Sequence, residues 1–437
     1  MGGMKDVNVG IIGMGRVGSG AATVLHENAD QIALKLGFRL NVTAVCALDP
    51  TCPVSDHVPG DALRTTDWRE VVNHPNVDIV VELASRTTLA REIVYAAIEH
   101  GKSVVTANQE LIAHCGSELW ELANRAGVDL AMDAEVCGGI SSQAVLREGI
   151  AGDRITALYG ILNGASNFIL TEIEKRGDSM AQVLADAERL GYAEANPSAD
   201  VDGYDACSKL AILATLAFGQ RITPADIYVE GIRRISPIDF QYAHVLDHTI
   251  RLLCAARQTA DGLILSVRPT LIPRSTFLAG VHGSSNAIWV KDHYGDDAFY
   301  YGRGSGSRSS GVAVVSDLMR VAREFRSGRP ERVSPYAHAR LGECRPASVT
   351  VQERPYYLRF RVNDRPGIIA TLAGILAGKH ISLDAMPRKA CDTKGGLPLV
   401  ITVDSTSEQA VRDAVQEMSH LEFLKEAPLA LPIEPSP

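Results

Sequence analysis

Between Gly191 and Leu213 the chain sets four carboxylates, Glu194, Asp200, Asp202 and Asp205, ahead of a single ammonium, Lys209. A lysine held by neighbouring acids can act as a proton donor once burial and those acids have set its pKa. The same residues also suit a structural task. Positions 207–218 are apolar almost all round, which at that length predicts a buried helix, and Lys209 is its only charge. An unpaired ammonium in such a place costs on the order of several kcal/mol. Asp205, four residues earlier and one turn away on the same face, is its natural partner. The residues alone allow both an ion pair that seats a helix and an acid that serves a reaction.

These side chains must be positioned by a larger frame, and the chain is long enough for two or three domains with substantial cores: 437 residues, 46% hydrophobic and 22% charged. A formal net charge of -9 argues against nucleic acid or an anionic membrane as the main partner. No apolar window reaches the length of a membrane span, and Met1 to Asp6 runs straight into a strand without room for a secretory signal. The eight cysteines are scattered with no Cys-x-x-Cys, so reduced core thiols in a cytoplasmic protein are expected and a zinc site is not.

The N-terminal stretch reads as alternating strands and helices, with strands at 7–12, 40–47, 77–82, 103–106 and 128–132, which argues for a parallel sheet covered on both faces. After the first strand comes Gly13-Met-Gly15-Arg16-Val17-Gly18 and then a helical run. That is the context in which Gly-x-Gly-x-x-Gly binds a dinucleotide. The first glycine makes the turn, the second admits the pyrophosphate, the third lets helix pack on strand, and the helix N-terminus faces the phosphates. Asp49, at the tip of the second strand, suits ribose hydroxyls and so NAD, whereas Arg16 could meet the phosphate of NADP. Asp49 lies farther from the glycines than usual, which calls for an insertion around 26–38. The ends of later strands put Ser85, Arg86, Thr106, Asn108 and Gln109 at the nicotinamide end of the cleft.

The run from Gly191 resembles the active-site loop of homoserine dehydrogenases, whose pattern is Gly-Tyr-x-Glu-x-Asp-Pro, then Asp, then Gly-x-Asp-x-x-x-Lys. Glu194, Asp200, Asp205 and Lys209 fall on its acidic and basic positions, and Asn196 stands where the family has Asp. The resemblance extends over almost the whole chain. It implies interconversion of L-aspartate 4-semialdehyde and L-homoserine with NAD or NADP, with Lys209 as the acid, Asp205 and Asp200 orienting it, and Glu194 holding the substrate's ammonium group. Tyr192 and Gly164 would line the substrate. Val-Val-Thr106-Ala-Asn108-Gln109-Glu-Leu is similar to the family's Val-Val-Thr-Ala-Asn-Lys-Glu-Leu, with Gln109 in place of a lysine that lies beside cofactor and substrate. In Asn163-Gly164-Ala165-Ser166-Asn167, Ala165 replaces a substrate-site threonine. Asp133 takes the place of a glutamate that, with carbonyls here belonging to Val136, Gly138 and Ile140, surrounds a sodium ion in the family; Ser141 replaces a proline. The loop Tyr301-Gly302-Arg-Gly304-Ser-Gly306 would return the chain to the cofactor domain and cover the nicotinamide with Gly306.

The expected layout is a dinucleotide-binding domain over 1–137 plus 305–328, an α+β substrate and dimerisation domain over 138–304 with strands at 156–162, 226–235, 263–273 and 287–290, a linker over 329–354, and a last domain over 355–437. That last domain reads as βαββαβ and resembles the ACT regulatory domain, which implies pairing and an amino-acid effector, or pairing alone. A homodimer or homotetramer is implied. Because Gln109, Ala165, Asn196, Ser141 and Arg86 cluster around the substrate, a dehydrogenase for a different amino-acid aldehyde or alcohol is the alternative, and an inactive amino-acid sensor the third.

Overall fold

The apolar run at 7–12 is β1 (Val7–Ile12), and in a computed structural model describing residues 6–133, 136–137, 139–190, 196–304, 306–328, 334–387 and 397–434 it lies at the middle of a parallel sheet. Along the chain follow α1 (Arg16–Glu27), α2 (Ala29–Leu36), β2 (Leu40–Cys46), β3 (Leu63–Thr65), α3 (Trp68–Val72), β4 (Ile79–Glu82), α4 (Thr87–Glu99), β5 (Ser103–Thr106), α5 (Gln109–Ala126) and β6 (Leu130–Ala131). The six strands lie in the order β3-β2-β1-β4-β5-β6, every pair parallel. β4 and β5 are buried along their whole length, as strands covered on both faces must be. The order reverses between β1 and β4, and a crevice for a ligand opens at the carboxyl ends of such strands. The extra length before Asp49 is a second helix: Asn28 ends α1 and α2 begins at once.

The chain then turns through α6 (Ser142–Ala144) and one wide helical turn into β7 (Ile155–Ile161), α7 (Gly164–Arg176), α8 (Met180–Arg189), α9 (Ser198–Val201), α10 (Tyr204–Phe218), β8 (Gln220–Arg221), β9 (Tyr228–Val229), α11 (Pro237–Val245), β10 (His248–Thr259), β11 (Gly262–Pro273), β12 (Ser285–Asp292) and β13 (Ala298–Arg303). The second sheet runs β13-β12-β7-β10-β11-β9, antiparallel except where β9 meets β11. The strand expected over 226–235 shrinks to β9. Thr223 and Asp226 cap a helical turn at one end, and Ser236 and Asp239 cap α11 at the other, each with a proline just inside. The long strand β10 was not expected. It is buried on both faces, so it lacks the alternation that marks a half-exposed strand.

The helix α12 (Ser307–Ser327) returns to the first sheet, where Val314, Val315, Leu318, Val321 and Ala322 join the core around Val7, Val9 and Ile11. A Cβ on Gly311 would come within 2.6 Å of the Gly20 carbonyl carbon, so the crossing of α12 over α1 depends on that glycine. Residues 334–352, within the stretch expected as a linker, lie as a strap against the second sheet and its helices. β14 (Gly342–Glu343) pairs with β8, Leu263 N–H donates to Arg345 O at 2.8 Å, and Ala347 N–H donates to Leu263 O at 2.7 Å.

The last domain is β15 (Glu353–Val362), α13 (Ile368–Gly378), β16 (Leu383–Ala385), β17 (Leu397–Ser407), α14 (Glu408–Met418) and β18 (Leu429–Pro432), the βαββαβ order expected, with strands in the order β16-β17-β15-β18. The expected turn at 392–396 lies outside the described residues. One face of the sheet packs Tyr356, Leu358 and Phe360 under the helices. The other sends Tyr357, Val400, Leu429 and Leu431 into the core beneath the second sheet. Buried ion pairs reinforce this seam: Arg268–Glu408 at 2.6 Å, and Arg359 on Asp239. Among the described residues no helix is long and apolar enough to cross a membrane, and all seven described cysteines are free.

Candidate active site

Burial decides the setting of Lys209. α10 is enclosed by the second sheet and α5, with Ala206, Cys207, Leu210, Ala211 and Leu213 all buried. Lys209 keeps 13% of its side chain exposed and places Nζ 2.8 Å from Asp205 Oδ2, the pairing expected from the four-residue spacing. Asp205 is tethered from three directions. Lys209 holds one side, Asn163 Nδ2 donates to Oδ2 at 2.7 Å, and Gln109 Nε2 donates to Oδ1 at 3.2 Å and to the Asp205 carbonyl at 3.0 Å. Burial pushes the Asp205 carboxyl upward, but the Lys209 ammonium and the Asn163 and Gln109 donors outweigh it and hold the group below the usual carboxylate range. The same Asn163 nitrogen donates to Asp200 Oδ1 at 2.6 Å. Two carboxylates from different helices are thus joined through one amide. Gln109 stands at the first turn of α5 in the parallel-sheet domain, so the lysine–carboxylate pair lies where the two domains meet.

The cofactor side of this junction is cut to shape by the glycine loop. Gly13 has φ +102°, and a Cβ there would come within 2.6 Å of Leu83 O; a Cβ on Gly18 would run into Gly13 O. A Cβ on Gly15 meets nothing within 4 Å, so the second glycine faces open space at the N-terminus of α1. A tight turn, an open second position and a closely packed third are what a bound pyrophosphate requires, and a dinucleotide fits these residues. Arg16 is exposed on the same loop and Val17 is half-buried behind it. Asp49 is exposed at the tip of β2, with Oδ1 accepting from Thr51 N–H at 2.9 Å and Thr51 Oγ1 at 2.7 Å, and these bonds lower its pKa. Ser85 and Arg86 are exposed at the start of α4, and Gly306 precedes α12. Thr106 ends β5 with its side chain turned inward, where its hydroxyl donates to buried Glu82 at 2.7 Å and accepts from Asn108 N–H.

The proposed cation site reads differently in three dimensions. Both oxygens of Asp133 are taken by Arg147, whose Nη1 and Nη2 donate at 3.0 and 2.8 Å. A guanidinium bound in this bidentate way already neutralises the carboxylate and would repel a second cation beside it, so the Asp133 side chain does not fit a sodium ligand. The Val136 and Ile140 carbonyls accept from the hydroxyl and N–H of Ser142. Among the described residues no cluster of three acidic, histidine or cysteine side chains could hold a metal. Gly138, Tyr192 and Glu194 lie outside the described residues.

Gly164 opens α7 and admits Ser284, whose carbonyl oxygen would lie 2.8 Å from a Cβ there; its role is close approach of backbone. Ala165 is buried beside it. Asn196 accepts from Ser198 N–H at 3.3 Å, ahead of α9. Two residues were assigned no role from the sequence. Asn163 caps α7 through Ser166 N–H at 2.7 Å while joining the two aspartates. Asn286 donates to Leu162 O at 2.7 Å and to the buried thiol of Cys137 at 3.3 Å, a thiol pushed up by burial against the pull of Lys209. The Asn-Gly pair after a strand was visible, but the sequence carried nothing about what the amide would hold.

Comparison with known proteins agrees with this arrangement. Residues 13–133 match the homoserine dehydrogenase NAD-binding domain, and residues 142–319 match the homoserine dehydrogenase family model. Homoserine dehydrogenase of Pseudomonas aeruginosa is 40% identical over 96% of each chain. The crystal structure of a homoserine dehydrogenase from Thiobacillus denitrificans superposes with a TM-score of 0.89 at 37% identity, covering 99% of both chains. A hyperthermophilic archaeal homoserine dehydrogenase mutant, seen in complex with NADPH, covers 74% of this chain and 100% of its own at a TM-score of 0.63 and 26% identity. With a glycine loop shaped for a dinucleotide, a lysine–aspartate pair at the domain junction and relatives matching end to end, the chain belongs to the homoserine dehydrogenase family.

Proposed function

We propose that the chain interconverts L-aspartate 4-semialdehyde and L-homoserine, with Lys209 carrying the proton. The observation that bears most weight is the Lys209–Asp205 pair, fixed at 2.8 Å and anchored by Asn163 from the second domain and Gln109 from the first. When bound, the nicotinamide cofactor supplies or accepts the hydride. The protein's part is geometry and the proton. As the aldehyde carbon takes up hydride, its oxygen becomes an alkoxide, and Lys209 Nζ gives that oxygen a proton; in the reverse direction the neutral amine takes it back. Asp205 aims the ammonium and Asp200 joins it through Asn163. Tyr192 and Glu194 are assigned to the substrate, Glu194 to its ammonium group, by the family pattern on which they fall.

NAD and NADP both suit the loop. Asp49 speaks for NAD, while Arg16 and the relative bound to NADPH speak for NADP. Assembly as a dimer or tetramer through the second sheet, an amino-acid effector at the C-terminal module and a reducing cytoplasmic setting for the free thiols complete the reading. The test is homoserine oxidation with each coenzyme. Lys209→Ala should lower kcat by about 10²–10⁴ with the coenzyme still bound, and an undiminished kcat would end the assignment. The rival reading, a different amino-acid aldehyde or alcohol, draws on Gln109 occupying Asp205 where the family has a lysine. Turnover of homoserine only after Gln109→Lys would favour it.

A further inference from the structure

A cavity of about 430 Å³ lies at the seam between the substrate domain and the C-terminal module, away from the glycine loop and Lys209. Its wall comprises Arg233 and Arg234, which precede α11, Arg359 and Arg361 from β15, and a single carboxylate, Glu426. We propose that this cavity binds a small organic oxyanion, a carboxylate or a phosphate.

The charges around the cavity do not balance. Arg233 is paired with Asp202 at 2.9 Å, and Arg359 with Asp239 and, at 3.3 Å, Glu426. Among the described residues Arg361 has only a share of that same Glu426, at 3.5 Å. Arg234 donates to the carbonyls of Ala427 and Pro428 at 2.7 Å each, and among the described residues no carboxylate lies at salt-bridge distance from it. Among the described residues the four guanidinium groups therefore have three carboxylates at salt-bridge distance, and a fourth, Glu230, which feels Arg234, is drawn first to Arg268. Arg359 also buries an Nε that has no acceptor among the described residues, on a side chain that is 5% exposed. Guanidinium forks bind carboxylate and phosphate through paired hydrogen bonds, and the volume falls within the ~300–1,000 Å³ of small-molecule pockets. Met180, Ile235, Pro237 and Ala427 add an apolar side that suits a short carbon chain.

The site is wired to the catalytic loop. Arg233 also donates to Ser198 at 3.1 Å, and Ile232 N–H donates to Val201 O at 2.8 Å, so the cavity wall grips α9, the helix that carries Asp200. An anion drawn to Arg233 competes with Asp202 for that guanidinium, and through α9 it bears on the aspartate joined to Asp205 by Asn163.

The experiment follows the Tm of the full-length protein titrated with succinate or inorganic phosphate, with sodium chloride at matched ionic strength as the control. A saturable rise of a few degrees is expected with at least one oxyanion and not with chloride; saturation by succinate alone identifies a carboxylate site, and by phosphate alone a phosphate site. The double variant Arg234→Gln/Arg361→Gln, which keeps amide donors for the two carbonyls, should lose the rise. If it does not fold, Arg361→Gln, at a partly exposed side chain, should raise the half-saturating concentration about tenfold. A rise that fails to saturate, that chloride reproduces, or that the variants retain in full would overturn the proposal. Saturating anion should also shift the KM for homoserine in the parent and not in the double variant; an unchanged KM would overturn the link to the catalytic loop.

Discussion

Replacing Asn163 by Asp turns the clamp between Asp200 and Asp205 into a third anion. The amide nitrogen now lies 2.6 Å from Asp200 and 2.7 Å from Asp205, so those carboxylate oxygens sit within little more than 5 Å of each other. Two like charges at ~5 Å in an effective dielectric of about 20 repel by about 3 kcal/mol, and the amide offsets this with two charge-assisted hydrogen bonds worth about 1.5–3 kcal/mol each. A carboxylate at position 163 removes both donors and adds repulsion of its own. If Asp205 is displaced from Lys209 by even 2–3 kcal/mol of this, kcat falls by roughly 30- to 150-fold. The choice of Asp over Ala matters because Asn163 also caps α7 through Ser166 N–H. Aspartate keeps that cap and alanine loses it, at about 1 kcal/mol. Asn163→Ala should therefore lose the more capping stability, while Asn163→Asp should lose the more activity near neutral pH. The new carboxyl, flanked by two anions, has a raised pKa, so lowering the pH protonates it and restores part of kcat in Asn163→Asp alone. The assay is kcat and KM for homoserine oxidation against pH for both variants, with thermal melts alongside. Equal kcat for the two variants at every pH, or parent-like kcat in Asn163→Asp, would refute the view that Asn163 works by joining the carboxylates.

Gly15→Ala adds a methyl group where nothing lies within 4 Å, so it should leave stability within about 0.5 kcal/mol yet weaken NADH or NADPH binding at least tenfold by fluorescence titration; Gly18→Ala, running into Gly13 O, should cost about 1–3 kcal/mol in a denaturant melt. Asp49→Ala should lower kcat/KM for NAD about tenfold and, by removing an anion from beside the 2′-phosphate, raise that for NADP; no change for NAD would place coenzyme choice on Arg16 instead. Asp317 is held well above the usual carboxylate range by burial and then by Asp133. A raised folded pKa means that its contribution to stability is full below the ordinary value of 3.8 and is lost as pH rises through the folded pKa. Asp317→Asn, which keeps an acceptor for the Asp133 N–H at 2.7 Å, should therefore melt above the parent at neutral pH, with the gap closing as pH falls towards about 4; a gap that does not vary with pH would count against it.

Local signals carried far along this chain. The glycine spacing after an apolar strand announced the dinucleotide turn, because only glycine tolerates φ +102° against Leu83 and only a missing side chain leaves room at Gly15. The apolar run around Lys209 announced a buried helix, and a four-residue spacing its ion pair, because both follow from helical geometry within one segment. The βαββαβ order was likewise legible from strand and helix periods.

Partnerships between distant segments were decided by the tertiary structure. That Gln109 reaches Asp205, that Asn163 holds two aspartates and that Arg147 claims Asp133 each depend on contacts across 14 to 96 positions, which no local pattern encodes. The strand β10 and the strap over 334–352 escaped notice for a related reason. The strap is buried by neighbours from other parts of the fold and carries no pattern of its own, whereas β10 has a short apolar run, Leu252 to Ala256, whose length does not by itself tell a strand from a buried helix. The Lys209–Asp205 pair could be expected from one dimension because its spacing obeys helical geometry; which oxygen each side chain faces is set by packing, and packing is a property of the folded whole.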